Sequence, residues 1–239
     1  MSWLFKKIPC FFRKIKAGRS TYVSFFASVL FLLALLPQAW AETPEKDVFR
    51  VPITHKDDGA DGWKLKEWKG KAKVSVVETE VGAAFHLKSD STSTALYKEI
   101  KFDVSKYPVF NWSWKVTELP KGGDVRKKSS DDQAAQVYVV FPKWPSTVNS
   151  RIIGYIWDST VPAGLTLQST KSGNTKYVIV KGGPNGLGQW FNEKRNVYED
   201  YKKLFKEEPP KVGSVSVMID ADDTKSSAES YIGNIFFSR

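Results

Sequence analysis

The sequence predicts a mainly β protein: an antiparallel β-sandwich with one short α-helix near residues 196–207, preceded by an N-terminal signal helix. Three observations predict it. Apolar and polar residues alternate at period two through several segments after residue 47, which is the mark of a strand with one buried face. Turn residues separate these segments at short intervals, and there is no βαβ alternation of the kind that builds a parallel sheet. Only one stretch carries the helical period.

The N-terminus comes first. Lys6, Lys7, Arg13, Lys14, Lys16 and Arg19 precede the first acid, Glu42, and an apolar run follows over Tyr22–Leu36. Pro37 breaks that run, and Ala39-Trp40-Ala41 supplies a small-x-small site. Basic, apolar and small-residue regions in this order form a secretory signal, cut after Ala41. No twin Arg is present, so the general export route is expected. The alternative is an uncleaved anchor, since Thr21–Trp40 reaches the roughly 20 residues a membrane span needs. Residues 1–41 are therefore expected to be a signal peptide, 42–47 a short polar tail, and 48–239 one sandwich domain exported to the periplasm. No membrane span is expected after cleavage.

The strands follow in order. Val74–Thr79 and Ala84–Lys88 flank a turn at Glu80–Gly82 and predict a hairpin. Leu96–Phe102 is next. Over Phe110–Val116, Phe110, Trp112, Trp114 and Val116 share one face, while Asn111, Ser113 and Lys115 share the other. A long loop from Leu119 to Asp132 leads to two interior strands, Ala134–Phe141 and Arg151–Trp157. Between these lies a Pro-bounded loop carrying Trp144. Tyr177–Lys181, Ser214–Asp220 and Tyr231–Phe237 complete the set. The helix begins at a capping box, Asn196-Val-Tyr-Glu199. Val197, Tyr201, Leu204 and Phe205 then form one apolar stripe, and Pro209-Pro210 is expected to end it.

Composition excludes several functions. Residues 1–41 hold six of the 36 basic residues and none of the 26 acids, so their removal leaves a net charge of +4 rather than +10. That is too little for a nucleic-acid footprint. Cys10 is the only cysteine and leaves with the signal, so no disulfide or thiol chemistry remains. Two histidines, His55 and His86, are too few for a His/Cys zinc site. The seven tryptophans after residue 41 either fill the core or offer flat faces to sugar rings.

Several segments together resemble a known family. They are Lys106–Lys115 (KYPVFNWSWK), Asp131–Phe141 (DDQAAQVYVVF), Gly154–Trp157 (GYIW), Trp190 with Arg195–Tyr201 (RNVYEDY), and Met218–Thr224 (MIDADDT) with Tyr231–Ile235 (YIGNI). In this order they resemble the bacterial family called domain of unknown function 3047. The resemblance spans nearly all of the chain after the signal and departs from the family pattern at Asn234, where the motif carries Asp. It implies an exported protein with a jelly-roll-type sandwich, similar in outline to carbohydrate-binding modules, and it implies no activity.

The polar constellations are weak as catalytic signatures. Asp220-Ala-Asp-Asp-Thr224 sets Asp220, Asp222 and Asp223 within four residues, where their repulsion needs a cation, an Arg or backbone N–H groups. Ca²⁺ is the candidate cofactor there; a plain Asp-capped turn is the alternative. Asp131 and Asp132 point to opposite faces of a strand and are expected to serve in structural pairing with Arg195 or Arg151. The Gly-rich run Gly182–Gly188 lacks the Lys-Ser/Thr pair of a phosphate loop and is expected to be a turn crossing to the helix. No Gly-x-Ser-x-Gly is present, and His86 is expected on the exposed side of its strand.

The candidate ligand site is Trp190, Arg195, Asn196, Tyr198 and Asp200, with Trp157 and Asp132 added: an aromatic platform beside hydroxyl partners. The expected function is non-catalytic binding of a cell-envelope glycan. The alternatives are an envelope glycan hydrolase using an Asp/Glu pair, which nothing in the sequence selects, and an accessory module that binds another protein.

Overall fold

The computed structural model describes residues 47–56 and 59–239. The predicted signal peptide, and the polar tail up to residue 46, lie outside them. Fifteen strands and two helices follow in chain order. The strands of the first half are β1 (Val48–Arg50), β2 (His55–Lys56), β3 (Gly59–Ala60), β4 (Lys64–Lys69), β5 (Lys73–Thr79), β6 (Gly82–Asp90), β7 (Ser93–Phe102) and β8 (Val109–Glu118). After one 3₁₀ turn, Lys128–Ser130, come β9 (Ala135–Phe141), the short helix α1 (Ser146–Asn149), β10 (Arg151–Asp158), β11 (Thr166–Gln168) and β12 (Thr175–Gly182). The last elements are β13 (Phe191–Asn196), α2 (Val197–Phe205), β14 (Val212–Asp220) and β15 (Ser227–Ser238).

Two sheets pack face to face. One runs β13-β8-β15-β6-β5, with β1 also paired to β15; the other has seven strands in the order β11-β12-β10-β9-β14-β7-β4. This is the predicted sandwich. It is not wholly antiparallel, because β10 and β12 pair in parallel, with Gly154 opposite Tyr177. The crossover that a parallel pair requires is supplied by the loop and edge strand over residues 159–174.

Period two decides the interior. Phe110, Trp112, Trp114 and Val116 all face inward from β8 and are buried. They meet the inward residues of the other sheet: Trp112 lies 5.1 Å from Tyr155 and Trp114 lies 6.1 Å from Trp157, between ring centroids. Each such aromatic withdraws an area whose loss on truncation costs about 3–5 kcal/mol, which is how a domain without disulfides is held. The predicted hairpin is formed by β5 and β6, and it closes at Thr79 opposite Gly82, so Gly82 belongs to the strand rather than the turn.

The helix α2 keeps its capping box: the Asn196 side chain accepts the Glu199 N–H at 3.0 Å. Val197 and Tyr201 are buried, with Tyr201 packed 4.6 Å from Phe141. The helix ends before the prolines. Lys206 takes the left-handed conformation, φ 58°, and its N–H returns to the Lys202 carbonyl at 2.9 Å. Six strands lacked a period-two signature and were not predicted: the short β1, β2 and β3, the exposed β4, the short β11, and β13, whose register against β8 is what brings Arg195 and Asn196 to the helix. The Gly-rich run therefore crosses to a strand first and reaches the helix only through it. No helix among the described residues is long and apolar enough to cross a membrane.

Candidate functional site

The outer face of the seven-stranded sheet carries an open groove of about 780 Å³. Its floor follows from the register. One cross-strand row runs Tyr177 on β12, Gly154 on β10, Tyr138 on β9, Ser216 on β14, Tyr97 on β7 and Lys64 on β4. Aromatic residues thus occupy alternate strands, with the smallest side chains between them. Gly154 is required: a Cβ there would stand 2.6 Å from Tyr138 Cε1 and 2.8 Å from Tyr177 Cδ1. The two rings lean together over it, centroids 6.4 Å apart. The Tyr138 hydroxyl is held by Gln136 Oε1.

Farther along β14 the outward positions are Met218 and Asp220, and along β4 they include Lys66 and Trp68. Trp68 is 60 % exposed, with the Lys66 ammonium 3.7 Å from its ring centre. The opposite end of the β10–β12 outer face is closed by a second small core of Val125, Ile156, Val161, Ile179 and the buried Tyr177, so the groove is bounded there.

The acidic end of the groove is where the sequence placed its candidate cation. The structure brings Asp132, Asp222 and Asp223 together, one oxygen of each within 4.8 Å of the others. Asp132 is buried and accepts the backbone N–H groups of Asp223 at 3.2 Å and Thr224 at 2.6 Å. Lys69 lies 3.2 Å from Asp222 and Lys171 lies 2.7 Å from Asp223. Much of the compensation thus comes from the chain itself. Asp220 sits beside Asp222, and its Oδ1 meets no N–H or O–H among the described residues. Burial first, then the neighbouring Asp222, push the Asp220 carboxyl far up, while Asp222 is held low. Asp131 is raised by burial and accepts from Gln133 Nε2 at 3.0 Å. Neither Asp131 nor Asp132 pairs with an arginine: Arg151 goes to Glu207 and Arg195 to Asp200.

The ligand site expected near the helix has a different character. Arg195 grips Asp200 through two hydrogen bonds, and Asp200 also accepts from the buried Tyr155 hydroxyl at 2.9 Å. Asn196 is occupied as the helix cap, and the Tyr198 hydroxyl donates to Glu208 at 2.7 Å. Trp190 is half-buried, 6.3 Å from Tyr231 with the Lys115 ammonium 5.2 Å from its ring, on the outer face of the other sheet. Trp157 is fully buried and donates its indole N–H to the Gly183 carbonyl at 2.9 Å, so the expectation that it touches a ligand does not hold. His86 is half-buried rather than exposed, stacked on Tyr231 at 4.4 Å and 2.7 Å from Glu229. Trp144 is 92 % exposed on its loop, away from both surfaces' lining residues.

The groove residues were missed because each came singly. Tyr97, Tyr138 and Tyr177 lie on three strands whose sequence positions are far apart, and only pairing aligns them. The one signal available was alternation within a strand: Gln136, Tyr138 and Val140 oppose the buried Val137 and Val139.

The sequence matches the family described as "Protein of unknown function (DUF3047)" over residues 61–236. The chain belongs to that family. In this DUF3047 chain the match covers every strand that lines the groove. No curated protein matches it. Among solved structures, it is similar to the family 11 carbohydrate-binding module of the cellulosomal cellulase Lic26A-Cel5E of Clostridium thermocellum, at 10 % identity over 79 % of this chain and 96 % of that one, TM-score 0.41. It is also similar to the xyloglucanase domain of NopAA, a type three effector from Sinorhizobium fredii, in complex with cellobiose: 11 % identity, 76 % and 96 % covered, TM-score 0.43. A cellulase derived from Cel12A of Rhodothermus marinus gives 11 % identity, 74 % and 92 % covered, TM-score 0.44.

Proposed function

We propose that this DUF3047 chain is exported to the periplasm and there binds a glycan of the cell envelope, without catalysing a reaction, along the groove of the seven-stranded sheet. One observation carries the reading: across a single face, tyrosines stand on alternate strands with Gly154 and Ser216 between them, and Trp68 stands exposed at the rim. Alternate strands are roughly 10 Å apart, about the length of two sugars in an extended chain. Flat rings meet the C–H faces of pyranoses, while Ser93 and Ser214 on the same lining offer hydroxyl partners. The apolar floor with few placed polar groups suits a hydroxyl-rich polymer.

The test is affinity electrophoresis of the mature domain through gels containing soluble peptidoglycan fragments or envelope polysaccharide. The wild type should be retarded by at least one polymer. Trp68→Ala combined with Tyr97→Ala should lose most of that retardation while its melting curve stays cooperative. Mobility of the wild type unchanged by every polymer would defeat the reading.

A further inference from the structure

Resting on that reading of the groove, we infer that its acidic end is a subsite for a free amino group on the bound chain, so that the preferred polymer contains amino sugars that are not acylated on nitrogen. The geometry that carries this is an imbalance of partners. Asp131, Asp132, Asp220, Asp222 and Asp223 converge at one end, and among the described residues the ammonium groups paired to them are Lys69 and Lys171. Asp132 is satisfied by two backbone N–H groups and Asp131 by the Gln133 amide. Asp220 is 4 % exposed, lines the groove, and has an oxygen, Oδ1, that no donor among the described residues reaches.

A buried acceptor without a donor costs about 1–3 kcal/mol unless something supplies one. An ammonium brings both a charge and three N–H donors, which suits two carboxylates better than one hydroxyl does. A neutral N-acetyl group brings one N–H and no charge. Asp220 lies four residues along β14 from Ser216, so the acidic end stands roughly 13 Å to one side of the tyrosine row, and a chain crossing the row obliquely along the groove would reach it.

Calorimetric titration of the mature domain with a β-1,4-linked glucosamine oligomer and with its fully N-acetylated counterpart tests this. The free-amine oligomer should bind about tenfold tighter. Asp220→Asn should abolish the preference, the two oligomers then binding alike. Asp222→Asn, less buried, should weaken the preference and guards against a folding defect in the first variant. Equal or tighter binding of the acetylated oligomer would overturn the inference and leave the groove reading intact. Failure of both oligomers and of every envelope polymer would remove both. A melting temperature raised by millimolar Ca²⁺ in the wild type but not in Asp220→Asn would assign the acidic end to a metal ion and overturn the inference.

Discussion

Arg195 and Asp200 form a two-pronged ion pair, Nε to Oδ2 at 3.0 Å and Nη2 to Oδ1 at 2.7 Å, that ties the end of β13 to the first turn of α2. The Tyr155 hydroxyl donates to the same carboxylate from the core of the opposite sheet. One side chain thus fixes β13 and α2, which are consecutive in the sequence, to β10, which is distant from both. Both prongs of the guanidinium are used, so the pair holds the fold rather than waiting for a ligand.

Asp200→Ala should therefore destabilise the domain by about 2–3 kcal/mol, because it leaves a buried tyrosine hydroxyl and a half-buried guanidinium without their acceptor. Urea unfolding checks the magnitude. Retention on glycan gels should be unchanged, and a double cycle with Arg195→Ala should show a coupling of about 1 kcal/mol or more.

Gly154→Ala tests the floor of the groove. The new methyl would stand well inside contact distance of Tyr138 and Tyr177, so the rings must move outward. Overpacking of this kind costs about 1–3 kcal/mol. The melting temperature should fall by several degrees, and glycan retention should drop even at temperatures where the variant is fully folded. Retention equal to that of the wild type would show that the tyrosine pair is not where the ligand rests.

Stability should also fall with rising pH because of Asp220. Its carboxyl is raised in the folded state, so above the ordinary carboxylate range the folded chain holds a proton that the unfolded chain has released. The contribution is fully present below the unfolded value and is lost as pH rises through the folded one. The slope is at most about 1.4 kcal/mol per pH unit. Asp220→Asn removes the titrating group, and its unfolding free energy should decline less than that of the wild type between about pH 5 and pH 8. Asp124 acts in the opposite sense: Arg126 holds its carboxyl low, so its contribution is present above the ordinary range and is lost only in strong acid.

The sandwich, the hairpin at Glu80–Gly82 and the capped helix were legible in the sequence, because each is set by neighbours a few residues apart. Alternation puts Phe110, Trp112 and Trp114 on one face whatever they later meet, and Asn196 can cap Glu199 with no help from elsewhere. The acidic turn after β14 was legible as a problem of repulsion. The identity of its partners, Lys69 from β4 and Lys171 from the loop before β12, was not. Strand order decided those, and it also decided that Tyr97, Tyr138 and Tyr177 share one row while Trp157 turns inward. A side chain's face follows from local period. Its neighbours across the sheet follow from which distant strands pair, and pairing is chosen by burial of the whole interior, a quantity no short stretch of sequence contains.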